Sequence, residues 1–288
     1  MRVAFCFFGG LGFYNDKNKY VYNPSKKSND IIFLNSYNSF NNFFKKIEHK
    51  DIFIHSWSVN DKKKILNYYQ PKKYIIQDQI NFQINLNKIK YERNIFNFIK
   101  NLEKNSEQDL IELIKNHIFR YKSRWYSQKK SLELMEKYSK KMNISYDWVV
   151  QLRFDLVFKK FYDLNSLSGD YIYLLKKNKN ADSALSDFII ISSQKKSKDF
   201  KDLYDNFNEN PIEATEALKY FLNKKNFLFS ENFLENKDVL ITRVFLDLKK
   251  NLGLLRFLIK LIPKFFIKKL INILNKLLSS LEYIYLKK

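Results

Sequence analysis

The chain has 288 residues, 45% hydrophobic and 17% aromatic, with a formal net charge of +22. That length and apolar content can bury a full core and exclude a small stapled fold, and a lone cysteine, Cys6, excludes a disulfide framework or a thiolate metal site and fits a reducing, cytoplasmic compartment. The charge invites a nucleic-acid partner, but most of it is lysine scattered among Asn, Ile, Phe and Tyr, a bias of composition rather than a patch.

The run Val3-Ala4-Phe5-Cys6-Phe7-Phe8 is followed by no small-residue cleavage site and gives way to Tyr14-Asn15-Asp16, so it predicts a buried first strand rather than a secretion signal. Gly9, Gly10 and Gly12 then gather three of the chain's five glycines at one strand end. A loop of that kind suits a nucleotide phosphate or base, because the backbone can take positive φ and approach a ligand closely. Gly-Gly-x-Gly nevertheless lacks the dinucleotide fingerprint and the Lys-Ser/Thr of a phosphate loop, and a tight turn explains it equally well.

Tyr37, Phe40, Phe43, Phe44 and Ile47 predict one apolar helical face over 37–48. Asp51 to Ser58 reads as a second strand, with His55 at its end either ordering a loop or donating to a phosphate or sugar hydroxyl; no second ligand at zinc spacing accompanies it. A helix over 62–68 and a strand over 73–76 follow, and strand-helix-strand-helix-strand argues for an α/β sheet with parallel neighbours. From about Asn105 to Met142 helical spacing persists, enough for one long helix or two. Arg120, Arg124 and Tyr126, near its middle, either face the crevice or, the favoured reading, are solvated partners of the surrounding glutamates.

Ser145 to Phe158 is the stretch around which the chain is organised. Its apolar run predicts a buried strand over 148–152 that delivers Arg153 and Asp155 at its carboxyl end, where open α/β sheets bind ligands. Strands over 170–175 and 186–193, a helix over 194–207 and a helix over 211–222 with Pro211 in its first turn come next. In that last helix Glu213, Glu216 and Tyr220 share a face, so a carboxylate can point back at the sheet. Short strands near 227–229 and 239–242 close the domain, with Arg243 just beyond.

Asp51-x-Phe53-x-His55-x-Trp57, Tyr69-x-Pro71-Lys72, Trp125-Tyr126-Ser127, Tyr146-Asp147-x-Val149 with Arg153-Phe154-Asp155, and Ser186-Asp187-Phe188 occur in that order. In this the chain, over residues 1–245, resembles bacterial glycosyltransferases of lipopolysaccharide, lipooligosaccharide and capsule gene clusters. The resemblance implies a GT-A-like (Rossmann-like) catalytic domain with a mostly parallel sheet flanked by helices, a nucleotide-sugar donor and a glycan or lipid-linked glycan acceptor. It puts Arg153 and Asp155 at the diphosphate and metal position and Asp187 in the acceptor or catalytic region. For such a transfer the loop of Gly9, Gly10 and Gly12 is expected to shape the nucleotide pocket, with His55, Trp57 and Arg153 on the donor side, and Asp187 or Glu216 to be the general base. The family's Asp-x-Asp is missing, since Arg153 stands where the first acid belongs. Asp155 then holds a Mn²⁺ or Mg²⁺ ion with water and diphosphate, or Arg153 replaces the ion by forking onto phosphate oxygens. The alternatives are transfer of another activated, phosphoryl-type group onto the same glycans, or a non-catalytic basic protein that binds a membrane surface or nucleic acid; no nucleic-acid motif supports the last.

Residues 249–288 change character. Arg256, Lys260, Lys264 and Lys268 recur every fourth residue among Leu, Ile and Phe, and Glu282 is the lone acid. No stretch reaches the roughly 18 uncharged residues a spanning helix requires. The pattern predicts in-plane amphipathic helices, split at Pro263, on the cytoplasmic leaflet of the inner membrane, and so a peripheral location; a basic tail docked on the domain or a partner is the other reading.

Overall fold

The computed structural model describes residues 1–11, 26–44, 46–85, 107–160, 163–176, 185–211, 213–235 and 238–241. Gly12, Arg243 and the basic stretch 249–288 lie outside the described residues.

At the centre is β1 (Arg2–Gly9), whose residues Val3 to Phe8 are buried on both faces. Parallel neighbours flank it, β2 (His49–Ser56) on one side and β4 (Trp148–Arg153) on the other, with β3 (Lys73–Ile76) parallel to β2 at the edge. Beyond β4 come β7 (Ile189–Ser192), antiparallel to its neighbours, then β6 (Tyr171–Leu175) and β8 (Leu228–Leu234), which run parallel to each other. The seven-stranded order is β3-β2-β1-β4-β7-β6-β8. A separate two-stranded antiparallel sheet joins β5 (Leu156–Phe158) to β9 (Val239–Ile241). This is the α/β, mostly parallel sheet expected from the sequence.

Alternation along β1 divides the core. Phe5 and Phe7 face α1 (Lys26–Phe44) and α2 (Lys62–Tyr69), where Phe7 meets Phe40 and Tyr69 edge-on and stacks on Phe154. Ala4 and Cys6 face the opposite way, in the core shared by α3 (Glu107–Met142) and α6 (Ala214–Lys224). Strands β1, β2 and β3 thus step outward under α1 and α2, whereas β4 returns to the other side of β1 after α3 has crossed the opposite face. The order reverses between β1 and β4, the kind of switch point at whose carboxyl ends open α/β sheets leave a crevice for ligands.

Of the span expected from 105 to 142, residues 107–142 form one helix of 36 residues, about 54 Å long at 1.5 Å per residue. Lys140 and Lys141 sit against the negative end of its dipole, and Asn143 closes it at φ 50°. The helix expected over 37–48 starts earlier, at Lys26, and stops at Phe44, and the strand expected from Ser186 begins at Ile189, because Asp187 and Phe188 are drawn toward an arginine described below. The helix expected over 194–207 is not continuous. It alternates α4 (Gln194–Ser197) and α5 (Asp202–Asp205) with 3₁₀ turns at Lys198–Lys201 and Phe207–Glu209, while Phe200, Leu203 and Phe207 stay buried. Aspartates and asparagines, which favour local turns over long helices, are dense there.

Phe7, 1% exposed, is sandwiched between α1, α2 and the turn carrying Asp155. Phe7→Ala is expected to lower stability by about 3–5 kcal/mol in urea unfolding; a loss below 1 kcal/mol would show that this layer collapses around the cavity.

Candidate functional site

The carboxyl ends of β1, β2 and β4 form the floor of the crevice, with Gly9 opposite Ser56 and Phe8 opposite Arg153. Gly9 has φ 95°, a conformation that L side chains rarely take, although a Cβ there would meet nothing within 4 Å. Conformation, not space, therefore asks for glycine. The loops after β1 and β2 are stitched together: Trp57 N–H donates to Gly9 O at 3.3 Å and Leu11 N–H to Ser58 Oγ at 2.8 Å. Gly10 follows in the same loop.

Ser127 of α3 fastens this loop from above. Its Oγ accepts from Gly9 N–H at 2.7 Å and lies 2.7 Å from His55 Nδ1 and 3.3 Å from His55 O. All three contacts are satisfied together when Nδ1–H donates to Oγ and the hydroxyl proton goes to the carbonyl. Nε2 is then a bare lone pair, and it has no partner in the structure. His55 is fully buried, edge-on to Trp57 at 4.6 Å and to Tyr126 at 5.6 Å. Burial first, and the charge of Lys130 second, push its pKa down to about 3, so the ring is neutral at ordinary pH. Its place is that of a residue ordering the loop. Trp57 is buried and stacks on Tyr126.

On the β4 side Arg153 ends the strand and Asp155 sits in the turn leading to β5. Arg153 Nε donates to Asp155 Oδ1 at 2.9 Å and Nη2 to Oδ2 at 2.5 Å, a fork-on-fork pair. A second pair stands beside it. Arg124 of α3 places Nη1 2.6 Å from Asp187 Oδ2, off-line for a hydrogen bond, and donates from Nη2 to Asp187 O at 2.7 Å. Both guanidiniums lie over the Phe188 ring, at 5.5 Å for Arg124 and 4.9 Å for Arg153. Burial, then the neighbouring positive charge of Arg153 against the pull of Asp187 and Asp155, leaves the Arg124 pKa lowered to about 10, so it stays charged at neutral pH.

Arg124 corrects the sequence expectation. It is no solvated partner of nearby glutamates but the ion-pair partner of Asp187, while Arg120 is exposed and Tyr126 packs against Trp57 and Tyr204. The sequence singles out Arg124 with the solvated reading favoured, and Ser127 only as part of the Trp125-Tyr126-Ser127 motif, with no role attached to either. The available signal was an interruption of the helix's apolar stripe: Ile118, Trp125, Leu132 and Met135 keep the period, but fully buried Gln128 takes one of its positions and hydrogen-bonds Gln151 of β4 at 2.6 Å. Glu216 lies off the buried face of α6, which Ala214, Ala217, Leu218, Phe221 and Leu222 form. Glu213 is the acid of that helix whose field reaches His117 and Tyr121 of α3.

The donor set does not fit a divalent ion. Among the described residues no three His, Cys, Asp or Glu side chains gather where a metal could be held, both oxygens of Asp155 are forked by Arg153, and two guanidiniums stand over the two carboxylates. Hard divalent cations want several oxygen ligands, and two positive charges in front of them oppose binding. Anionic oxygens suit the arrangement better.

No protein-family model matches the chain, and no curated protein sequence matches it. Among solved structures it is similar to a protein described as a nucleotide-diphospho-sugar transferase from Desulfovibrio desulfuricans (11% identity, 82% of this chain and 80% of that one, TM-score 0.40). It is also similar to a nucleoside-diphosphate-sugar pyrophosphorylase from Vibrio cholerae (11%, 83% and 94%, TM-score 0.37). A third is a glycosyltransferase involved in glycosylation of the major capsid of PBCV-1 (9%, 82% and 81%, TM-score 0.35).

His55 makes a prediction about acid. Its folded pKa lies below its ordinary value, so the unfolded chain takes up a proton as pH falls through about 6.5 and the folded one does not until about 3. Stability contributed by the neutral ring is therefore present above pH 6.5 and is lost below it, by at most about 1.4 kcal/mol per pH unit. Between pH 7.5 and 5 the protein is expected to lose about 1–2 kcal/mol more than His55→Gln does in urea unfolding. Equal losses would place the acid sensitivity elsewhere.

Proposed function

We propose that the chain is a GT-A-like glycosyltransferase that moves a sugar from a nucleotide-sugar donor to a hydroxyl of a lipopolysaccharide, lipooligosaccharide or capsule intermediate. The observation that carries this reading is the position of Arg153, a partly exposed guanidinium at the carboxyl end of β4 across the switch point from the Gly9 loop. Glycosyl transfer needs a stabilised diphosphate leaving group, an activated acceptor hydroxyl and tolerance of an oxocarbenium-like transition state. The bond from the anomeric carbon to the diphosphate oxygen breaks with its electron pair on the diphosphate, where Arg153 meets the growing charge. The acceptor oxygen bonds to the anomeric carbon and its proton passes to a carboxylate. The two candidate bases are Asp187, which stands beside the arginines but is only 2% exposed, and Glu216, which lies off the buried face of α6. The loop at Gly9 and Gly10, ordered by His55 and Ser127, shapes the nucleotide side, with Trp57 behind it.

In this reading residues 1–245 are the catalytic domain, and 249–288 lie as basic amphipathic helices on the cytoplasmic leaflet of the inner membrane, where lipid-linked acceptors are presented. Among the described residues no helix is long and apolar enough to cross a membrane.

A panel of nucleotide sugars tests the activity by release of nucleoside diphosphate. At least one donor is expected to be hydrolysed, and Arg153→Gln is expected to slow release about 100-fold, the cost typical of one lost electrostatic contact in a transition state. An undiminished rate would remove Arg153 from the site. Deleting residues 249–288 is expected to move the protein from the membrane fraction to the soluble one, and an unchanged distribution would discard the anchor.

A further inference from the structure

Charge and exposure separate cleanly in the two ion pairs beside Phe188. The Arg124 and Arg153 side chains are 16% and 15% exposed, whereas Asp187 and Asp155 are 2% and 3% exposed. Each pair therefore seals its anion, while the arginine side chains keep a little surface; the Nε of Arg124 is itself buried. Arg124 also keeps a buried Nε–H with no acceptor, and Asp187 Oδ2 has no donor, so this pair is incompletely satisfied although its charges are 2.6 Å apart. A buried donor without a partner is costly and marks a place where a further acceptor would be gained. Phe188 lies under both guanidinium planes and sets their spacing.

We propose that Arg124 and Arg153 form a two-jawed pyrophosphate clamp that neutralises the diphosphate of a nucleotide sugar without a divalent ion. Asp187 and Asp155 hold the jaws in place when no phosphate is there. The clamp rests on the transferase reading above for its substrate, but not for its chemistry. Two guanidiniums supply the same double positive charge as one Mg²⁺ or Mn²⁺, and each presents a planar fork that matches two phosphate oxygens. An anion arriving from solvent meets these cations first, while a dication would have to pass them to reach the carboxylates. Burial and the charge of Arg153 already hold down the affinity of Arg124 for its proton, and a phosphate between the two would relieve that repulsion.

Inorganic pyrophosphate is the probe, titrated calorimetrically into the full chain in EDTA and again with Mn²⁺. Saturable binding is expected in EDTA, with no tightening by Mn²⁺. Arg153→Gln is expected to weaken it at least about tenfold. The pairwise change Arg124→Gln with Asp187→Asn, which leaves no lone carboxylate buried, is expected to do the same. Arg153→Lys keeps the charge and loses the fork, and is expected to weaken binding at least about threefold; it carries the comparison should R153Q melt early. Binding that requires Mn²⁺, or that these changes leave intact, overturns the clamp. Nucleotide-sugar hydrolysis by the unaltered protein is scored alongside. Arginine-dependent pyrophosphate binding with no hydrolysis of any donor retires the transferase reading and keeps the clamp, whereas hydrolysis with Mn²⁺-dependent, arginine-indifferent binding does the reverse.

Discussion

The fork between Arg153 and Asp155 is the constraint on which the crevice depends. It spans the two residues at which the chain leaves the main sheet and turns into β5, so it fixes both the direction of that turn and the guanidinium at the sheet's rim. Stability alone does not account for such a pair. Taking a carboxylate almost wholly out of water costs several kcal/mol before any attraction is counted, and apolar residues of similar volume often do as well. A second, poorly aligned pair a ring's width away makes the stability argument weaker still. Two buried acids, each paired with an arginine, make sense as a device for holding positive charge at a defined place.

Helix α3 supplies the other half of that device. Arg124, Ser127 and Gln128 occupy successive positions of one helical face, and they reach in turn Asp187, the Gly9 loop with His55, and Gln151. A 36-residue helix laid across β1 and β2 thus positions two loops and strand β4 with one element. The price appears in the layer below, where Gln128 Oε1, Gln151 Nε2 and Ser192 Oγ are buried without partners. Each such group costs about 1–3 kcal/mol unless an ordered water meets it, and polar buried seams are where such waters reside. Polar residues kept here, under the crevice, rather than under α1 and α2, follow the same division of the molecule into a phenylalanine-filled supporting face and a polar working face.

Much of this was legible in the sequence where local pattern and tertiary role coincide. The double-sided apolar run of β1, the glycines after it and the run through Trp148 to Leu152 were enough to predict central parallel strands and a crevice at their ends. Arg153 and Asp155 could be placed at the end of β4 because a strand end is itself a positional signal. Arg124 was hidden because an arginine among glutamates on a long helix reads as solvated, and only the sheet's arrival on that face reveals its partner 63 residues away. His55 could be placed at a strand end, but nothing local told whether its ring faced a ligand or Ser127, 72 residues further on. The broken helix after Gln194 was missed for a different reason. Its apolar spacing is helical, but the stretch is rich in aspartates and asparagines, which have low helix propensity, and it alternates between α and 3₁₀ turns.

The crevice is also polar along its length, and that asymmetry has a consequence for any elongated ligand. Its β4 and β7 end carries Arg153 and Arg124 over Phe188; its β2 end carries a neutral His55 with Trp57 and Tyr126. Had His55 kept an ordinary pKa, it would be partly charged in mildly acidic conditions and blur the difference, but burial keeps it neutral down to about pH 3. Lys130, which sits over Tyr126, is paired with Glu133 at 2.8 Å and adds little net charge there. A molecule with anionic oxygens at its middle and an uncharged ring at one end therefore gains most by laying the oxygens against the guanidiniums and the ring toward the aromatic side.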